Sequence, residues 1–328
     1  MFFRHGFIRI LSEMAKLSYF TSKIDKQSQV FIIELLKKAL IPSKPGQSND
    51  PELLETVFEF LSSLAEHNEE ENIIVFSNIS SLIVQKFNWV ISNGKINPSI
   101  KEKVLESLET FTYYAGKLCF SQMSLIIDSA YNILNLGLLE PGACKVIREI
   151  VINTAYIAPS FLIEDKKSVK KVLLISIGAL CPALNTITEA WLNPSVGDKF
   201  IDDETTESLD VVNRVLEVLE SEAILALFSA EVQSLLQRDT WTHQYAAIMA
   251  LSQVGEHVKS VEELSPIVHI VKNHLNHGNP MVRNACLHCL AQFCEDKKGD
   301  FQKKFKTDLI EWSVAGLKDS VSLILNTF

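Results

Sequence analysis

Apolar residues recur along this chain with helical spacing. Leu54, Val57, Phe58, Leu61 and Ala65 fall at i, i+3, i+4, i+7 and i+11, one face of a helix that opens at the turn signal Asn49-Asp50-Pro51. Val104, Leu108, Phe111 and Ala115 repeat the stripe behind Asn97-Pro98-Ser99. Ala247, Ala250, Leu251 and Val254 do so behind Asp239-Thr240-Trp241, and Val282, Ala285, Cys286, Cys289, Leu290 and Phe293 behind Gly278-Asn279-Pro280. Proline suits such openings because its fixed φ fits the first helical turn, where its missing N–H is not needed. No segment alternates convincingly with period two, so helices are expected throughout.

The helix openings themselves repeat. Pro51, Pro98 and Pro141 are 47 and 43 residues apart, and Trp241 and Pro280 are 39 apart, each interval having room for two helices. The helix ends Leu64-Ala65-Glu66, Val254-Gly255-Glu256 and Phe293-Cys294-Glu295 share a small or apolar pair followed by Glu. A period of about 40 to 47 residues with two helices per unit is the signature of HEAT or armadillo repeats. The predicted fold is all-α, a right-handed α-solenoid of about seven HEAT repeats forming an armadillo-like superhelix. The 100 residues from Pro141 to Trp241 fit two repeats and an insertion of about a dozen residues. The expected organisation is repeats over 1–192, an acidic insertion loop over 193–206, and further repeats over 207–328. Ser322-Leu323-Ile324-Leu325 is apolar where a terminal repeat would be polar, so a solenoid truncated at its C-terminus is expected.

Composition narrows the picture. Only 12 Gly and 10 Pro disfavour sandwiches, barrels and long linkers, and 47% hydrophobic residues supply a core. A net charge of −9 argues against a general nucleic-acid binder and for basic partners. That charge is local: residues 198–239 hold eleven acids against Lys199, Arg214 and Arg238, which leaves eight of the nine excess charges. Six cysteines without a secretory signal read as reduced thiols. The longest apolar run, Val172 to Leu184, is 13 residues and contains Pro182, short of the ~20 needed to cross a bilayer. The amphipathic N-terminus with Arg4, Arg9 and Lys16 reads as a first packed helix, with a mitochondrial presequence as the alternative.

Asp239 to Glu256, DTWTHQYAAIMALSQVGE, resembles the W-x3-Y/H-A-A-L-x-A-L-S-x-I-G-E stretch of importin-beta-type karyopherins, most closely their importin five (Kap121-like) branch. Asn279-Pro280-Met281-Val282-Arg283-Asn284-Ala285-Cys286 is similar to the P-x-V-R-x-A opening of the next repeat, and Gln292 and Phe301-Gln302-Lys303-Lys304-Phe305 continue in register. An acidic segment and Ser208-Leu209-Asp210 precede them, as the family's acidic insertion does. The match is specific over Asp202–Leu317. It departs at His277, where this branch carries an Asp that bonds across to the next repeat; the inter-repeat ladder at Arg283, with Pro280 and Gln292 as structural companions, is therefore an open point. Family members are much longer, so the chain is expected to be a partial one covering middle repeats and lacking the N-terminal arch that binds Ran GTPase.

The resemblance implies a nuclear transport receptor that shuttles between cytoplasm and nucleus, binding basic cargo proteins and nucleoporin Phe-Gly repeats; Ran is a partner only if bound without that arch, and no nucleic acid or membrane is expected. The acidic residues Asp202, Asp203, Glu204, Glu207 and Asp210 are the candidates for holding basic segments, against the plainer reading of a solvated loop. Trp241 and Tyr245, with Trp89 and Trp312, are candidate Phe-Gly platforms or repeat-to-repeat packing. Cys286, Cys289 and Cys294 with His269, His274, His277 and His288 invite a zinc reading, but two of the cysteines sit on the apolar stripe as small hydrophobes. Lys297, Lys298, Lys303, Lys304 and Lys306 read as a solvated helix face rather than a phosphate contact. No glycine-rich nucleotide loop, H-E-x-x-H or G-x-S-x-G is present, and no enzyme activity, cofactor or metal is expected. The alternatives are another HEAT scaffold, of phosphatase-scaffold or tubulin-binding type, and more remotely a zinc or thiol enzyme on a helical frame.

Overall fold

Prolines and their preceding Asx residues set where the helices begin. In a computed structural model that describes residues 2–16, 25–41, 50–67, 77, 79–115, 122–135, 141–157, 165–181, 203–218 and 222–319, Pro51, Pro98, Pro141 and Pro280 each stand at the first position of a helix. Asp50, Asn97 and Asn279 accept through Oδ1 the backbone N–H two residues on, from Glu52 at 3.2 Å, Ser99 at 3.0 Å and Met281 at 2.8 Å. Proline removes one of the donors that a helix start leaves without a partner and the Asx oxygen satisfies the next, so an Asx-Pro pair caps the helix almost alone.

The described residues form 15 α-helices and no strand. They are α1 (Phe2–Ala15), α2 (Lys26–Leu40), α3 (Pro51–His67), α4 (Ser80–Ser92), α5 (Pro98–Ala115), α6 (Met123–Asn135), α7 (Pro141–Ile157), α8 (Lys166–Ala179), α9 (Asp203–Val218), α10 (Glu222–Leu236), α11 (Trp241–Ser252), α12 (Val261–His274), α13 (Pro280–Asp296), α14 (Lys298–Lys304) and α15 (Lys306–Gly316). The chain divides into two units, Met1–Val172 and Leu173–Phe328.

In the first unit α1, α3, α5 and α7 pack each on the next as one layer, and α2, α4 and α6 form a second. The layers meet through α2 on α3, α4 on α5 and α6 on α7. Each helix pair therefore leans on its neighbour in sequence, the arrangement of stacked two-helix repeats. The second unit repeats the plan: α9, α11 and α13 follow one another in one layer, α10 packs on α11, and α12 packs on α13 and α14.

The apolar stripes lie where periodicity puts them. Leu54, Val57, Phe58, Leu61 and Ala65 are buried, as are Val104, Leu108 and Phe111, and Phe87, Phe228, Phe293 and Phe301 are fully enclosed. α11 is buried on nearly every side, from Tyr245 through Ser252, because α9, α10 and α13 surround it. Its small residues Ala246, Ala247 and Ala250 let those helices come close.

The expected loop over 193–206 needs correcting at its end. Asp203 already begins α9, so residues 203–206 are helical, while 193–202 lie outside the described residues. Carboxylates are favourable in a first turn, where the helix dipole presents its positive end.

One contact between repeats depends on a missing side chain. A Cβ built on Gly255, in the 3-10 turn after α11, would collide with Oδ2 of Asp296 at the end of α13 and stand 3.0 Å from its Cγ. Gly255→Ala should cost about 1–3 kcal/mol, the usual cost of overpacking. The double variant Gly255→Ala, Asp296→Ala should recover most of it in urea denaturation; two independent, additive losses would show that the contact is not the cause.

Candidate partner-binding surface

The acidic residues singled out from sequence fall in and before α9. Asp202 lies outside the described residues, and Asp203, Glu204 and Glu207 belong to the helix's first turns. Leu209, Val212, Val215 and Leu216 are buried. Helical register puts positions 203, 207, 210, 214 and 217 on the opposite side, where Asp210, Arg214 and Glu217 are exposed. The face is acidic but interrupted by one arginine. Asn213 ties the helix to the next repeat, its Oδ1 lying 2.8 Å from His257 Nε2.

The aromatic candidates divide. Tyr245 is 5% exposed and packs inside the second unit, so its reading as a docking platform is corrected: the crowding around α11 leaves the ring no open face. Trp241 and Trp89 are half-buried. Trp312 is buried, with Lys272 Nζ 5.9 Å from its ring centroid and 3.2 Å from Asp308. The opening of α11 is held by polar contacts instead. His243 sits between Arg238, 2.9 Å from its Nε2, and the Thr240 hydroxyl, and Gln244 donates to the Arg238 carbonyl at 3.0 Å. Burial first, and then the Arg238 charge, hold the His243 imidazole below its ordinary pKa.

The ladder at Arg283 is intact. Its Nε and Nη2 donate to Asp319 at 2.7 and 2.8 Å, a two-pronged ion pair 36 residues apart, and Nη1 donates to the His277 carbonyl at 2.9 Å. His277 does not break the pattern, because it serves Arg283 through its backbone while its Nδ1 accepts the Asn279 N–H at 3.0 Å. Pro280 opens α13 as expected. Gln292 works at one remove: its amide donates to Asp296 Oδ1 at 2.7 Å within the same helix, and Asp296 makes the contact to Gly255. Burial pushes the Asp296 carboxyl above its ordinary pKa, and its Oδ2 is enclosed without a hydrogen bond.

Cys286 and Cys289 are fully buried, and burial drives both thiols well above their ordinary pKa. His288 is held low by burial too. Among the described residues no three His, Cys, Asp or Glu side chains gather as a metal site would require. Ellman titration of the folded chain should leave Cys286 and Cys289 unmodified until denaturant is added; rapid labelling of either in the native state would contradict their core placement. The lysine run is largely engaged locally. Lys297 donates to the Val258 carbonyl at 2.6 Å, Lys304 meets Glu262 at 3.3 Å and Lys303 meets Asp300 at 3.5 Å. No helix among the described residues is long and apolar enough to cross a membrane.

The HEAT-repeat family model matches residues 267–296, the end of α12 and all of α13. Structures of the karyopherin Kap121p, alone, bound to Nup53p, and bound to the extreme C-terminus of the protein phosphatase Cdc14p, each superpose on 99% of this chain with a TM-score of 0.83 and 17% identity. The fold is an all-helical solenoid of HEAT repeats, similar to that of these structures. The chain spans 31% of the Kap121p chain that it matches.

Proposed function

We propose that this chain acts as a segment of a nuclear transport receptor, binding cargo proteins and nucleoporins during import into the nucleus. The observation that carries the reading is the superposition of nearly the whole chain on Kap121p, a karyopherin crystallised with several protein partners. The local chemistry agrees. Positions 203, 207 and 210 of α9 share the side opposite its buried Leu209, Val212 and Leu216, Asp202 and Glu204 lying next to them in sequence, and a carboxylate face there raises the local concentration of Lys/Arg-rich cargo segments. Half-buried Trp241 at the opening of α11 and half-buried Trp89 on α4 are the aromatics that remain for Phe-Gly contacts, Tyr245 and Trp312 being buried. The receptor works by binding and by flexing between neighbouring repeats, without a chemical step. Shuttling between cytoplasm and nucleus follows from the same reading.

The test is binding of basic nuclear-localisation peptides to the full chain at low salt. Binding should weaken with added salt and fall about tenfold when Asp202, Asp203 and Glu204 are neutralised to Asn and Gln, roughly 1.4 kcal/mol. Affinity indifferent to both salt and these substitutions would remove the acidic residues as the cargo site.

A further inference from the structure

Polar atoms shut away without a partner gather at one joint between repeats. Among the described residues five enclosed side-chain atoms lack a hydrogen bond, and four of them, Gln244 Oε1, Asn284 Nδ2, His288 Nε2 and Asp296 Oδ2, belong to α11 and α13, which pack on each other. On α13 they form a row, because Asn284, His288, Gln292 and Asp296 follow at four-residue steps along one side of the helix. Folded proteins bond nearly all such groups, so four exceptions in one interface mark a joint that is held less firmly than the core around it.

The row ends in a carboxylate that is poorly served. Gln292 donates to Asp296 Oδ1 at 2.7 Å, while Oδ2 lies against Gly255 of the 3-10 turn after α11, so closely that no Cβ fits there. An ionised carboxylate takes donors on both oxygens, and here one oxygen has none; a protonated carboxyl needs fewer and carries no charge. The charges that act on it are mostly negative. Glu256 reaches it from the 3-10 turn and Glu295 from its own helix, whereas the Lys297 ammonium is shared with the Val258 carbonyl at 2.6 Å. The Asp296 charge acts in turn on the buried Cys289 thiol. Of the other elements packed on α13, α11 brings His243 at its opening, and α12 brings Glu262 and Glu263, the first paired with Lys304 of α14 at 3.3 Å. Burial first, and then Glu256 and Glu295, keep the Asp296 carboxyl above its ordinary pKa.

We infer that the α11–α13 joint is a proton-operated hinge, which closes when Asp296 takes up a proton and loosens when Asp296 gives it up. An acid whose pKa is raised by folding holds its proton more tightly folded than unfolded, so the joint is firmest at and below the ordinary carboxylate range and weakens as pH rises through the raised value. His288 works in the opposite sense. Burial lowers its pKa, so its contribution is present above the ordinary imidazole value and is lost as pH falls. Solenoid repeats touch only their neighbours, so loosening one joint resets the repeats on its two sides against each other. The hinge lies in the second unit and does not depend on the transport reading.

The experiment is hydrogen exchange of the full chain at about pH 8 and about pH 5, comparing variants with the unsubstituted chain at the same pH so that the exchange chemistry cancels. At the higher pH the amides of α11 and α13 should be at least about fivefold better protected in Asp296→Asn, which keeps the shape of the protonated acid. At the lower pH that difference should shrink below about twofold, and α5 and α7 of the first unit should be unchanged at both. Glu256→Gln, at an exposed position, should move protection the same way by a smaller factor, and it decides the matter if Asp296→Asn does not fold. His288→Gln should alter protection only on the acid side. Equal protection in the substituted and unsubstituted chains at the higher pH overturns the inference. So does a gain of the same size at both pH values, because Asp296 would then act through shape and not through its proton.

Discussion

Phe293→Ala is expected to lower the unfolding free energy of the second unit by about 4 kcal/mol, within the 3–5 typical of a buried phenylalanine. Phe293 is fully enclosed on α13, and its ring meets Phe301 of α14 at 5.7 Å, which in turn leans on Phe305 at 4.8 Å. The three rings join α13 to the short helix that follows, so truncating the first leaves a cavity at a joint rather than inside one helix pair. Urea denaturation followed by far-UV circular dichroism reads the loss, and hydrogen exchange should show deprotection beginning at α13 and α14. Phe293→Leu should cost less than half as much, because most of the volume is kept. A loss under 1 kcal/mol for the alanine variant would mean that this cluster does not hold the two helices.

Arg283→Ala is expected to cost about 3 kcal/mol. The pair to Asp319 is 16% and 12% exposed, and removing one partner from a nearly buried ion pair leaves the other charge without compensation, at roughly 3–5 kcal/mol. Solvent access at the rim places the expectation at the lower end. Arg283→Lys should recover little, because an ammonium cannot reproduce two parallel N–H donors and also reach the His277 carbonyl. A double-mutant cycle with Asp319→Ala isolates the coupling; additive losses would show that the two residues contribute separately and that no ladder links their repeats.

The fold was legible because helical repeats announce themselves locally. Leu54, Val57, Phe58 and Leu61 needed only the helical period to be placed, and Pro51, Pro98, Pro141 and Pro280 marked helix starts that the structure repeats residue for residue. Where a single helix is packed on several sides, periodicity says less. The stripe of α11 gave one face, yet Tyr245 and Ile248 are buried along with Ala247, because the surroundings of α11 are set by residues far along the chain. Arg283 was recognisable as a ladder residue, but its partner was not: Asp319 sits in the turn after α15, 36 residues on, and only stacking of repeats brings it there. The same holds for Gly255, whose role is a close approach by Asp296 from the following repeat.

The charge reading was partly local and partly misleading. Counting acids pointed to 198–239, and α9 does carry an exposed Asp210 and Glu217, although with Arg214 between them. The same count passed over α3, whose four glutamates are spread at helical spacing rather than in a run, and over Tyr113 and Tyr156, which a composition count treats as core material. Exposure, which only the folded arrangement decides, is what separates those tyrosines from Tyr245.

The central claim is that this solenoid binds as a transport receptor does, and retention on immobilised Phe-Gly repeat peptides tests it most directly against other HEAT scaffolds. The account predicts that the full chain is retained on Phe-Gly repeats and flows through a matched column in which Phe is replaced by Ser. Equal behaviour on the two columns would contradict it.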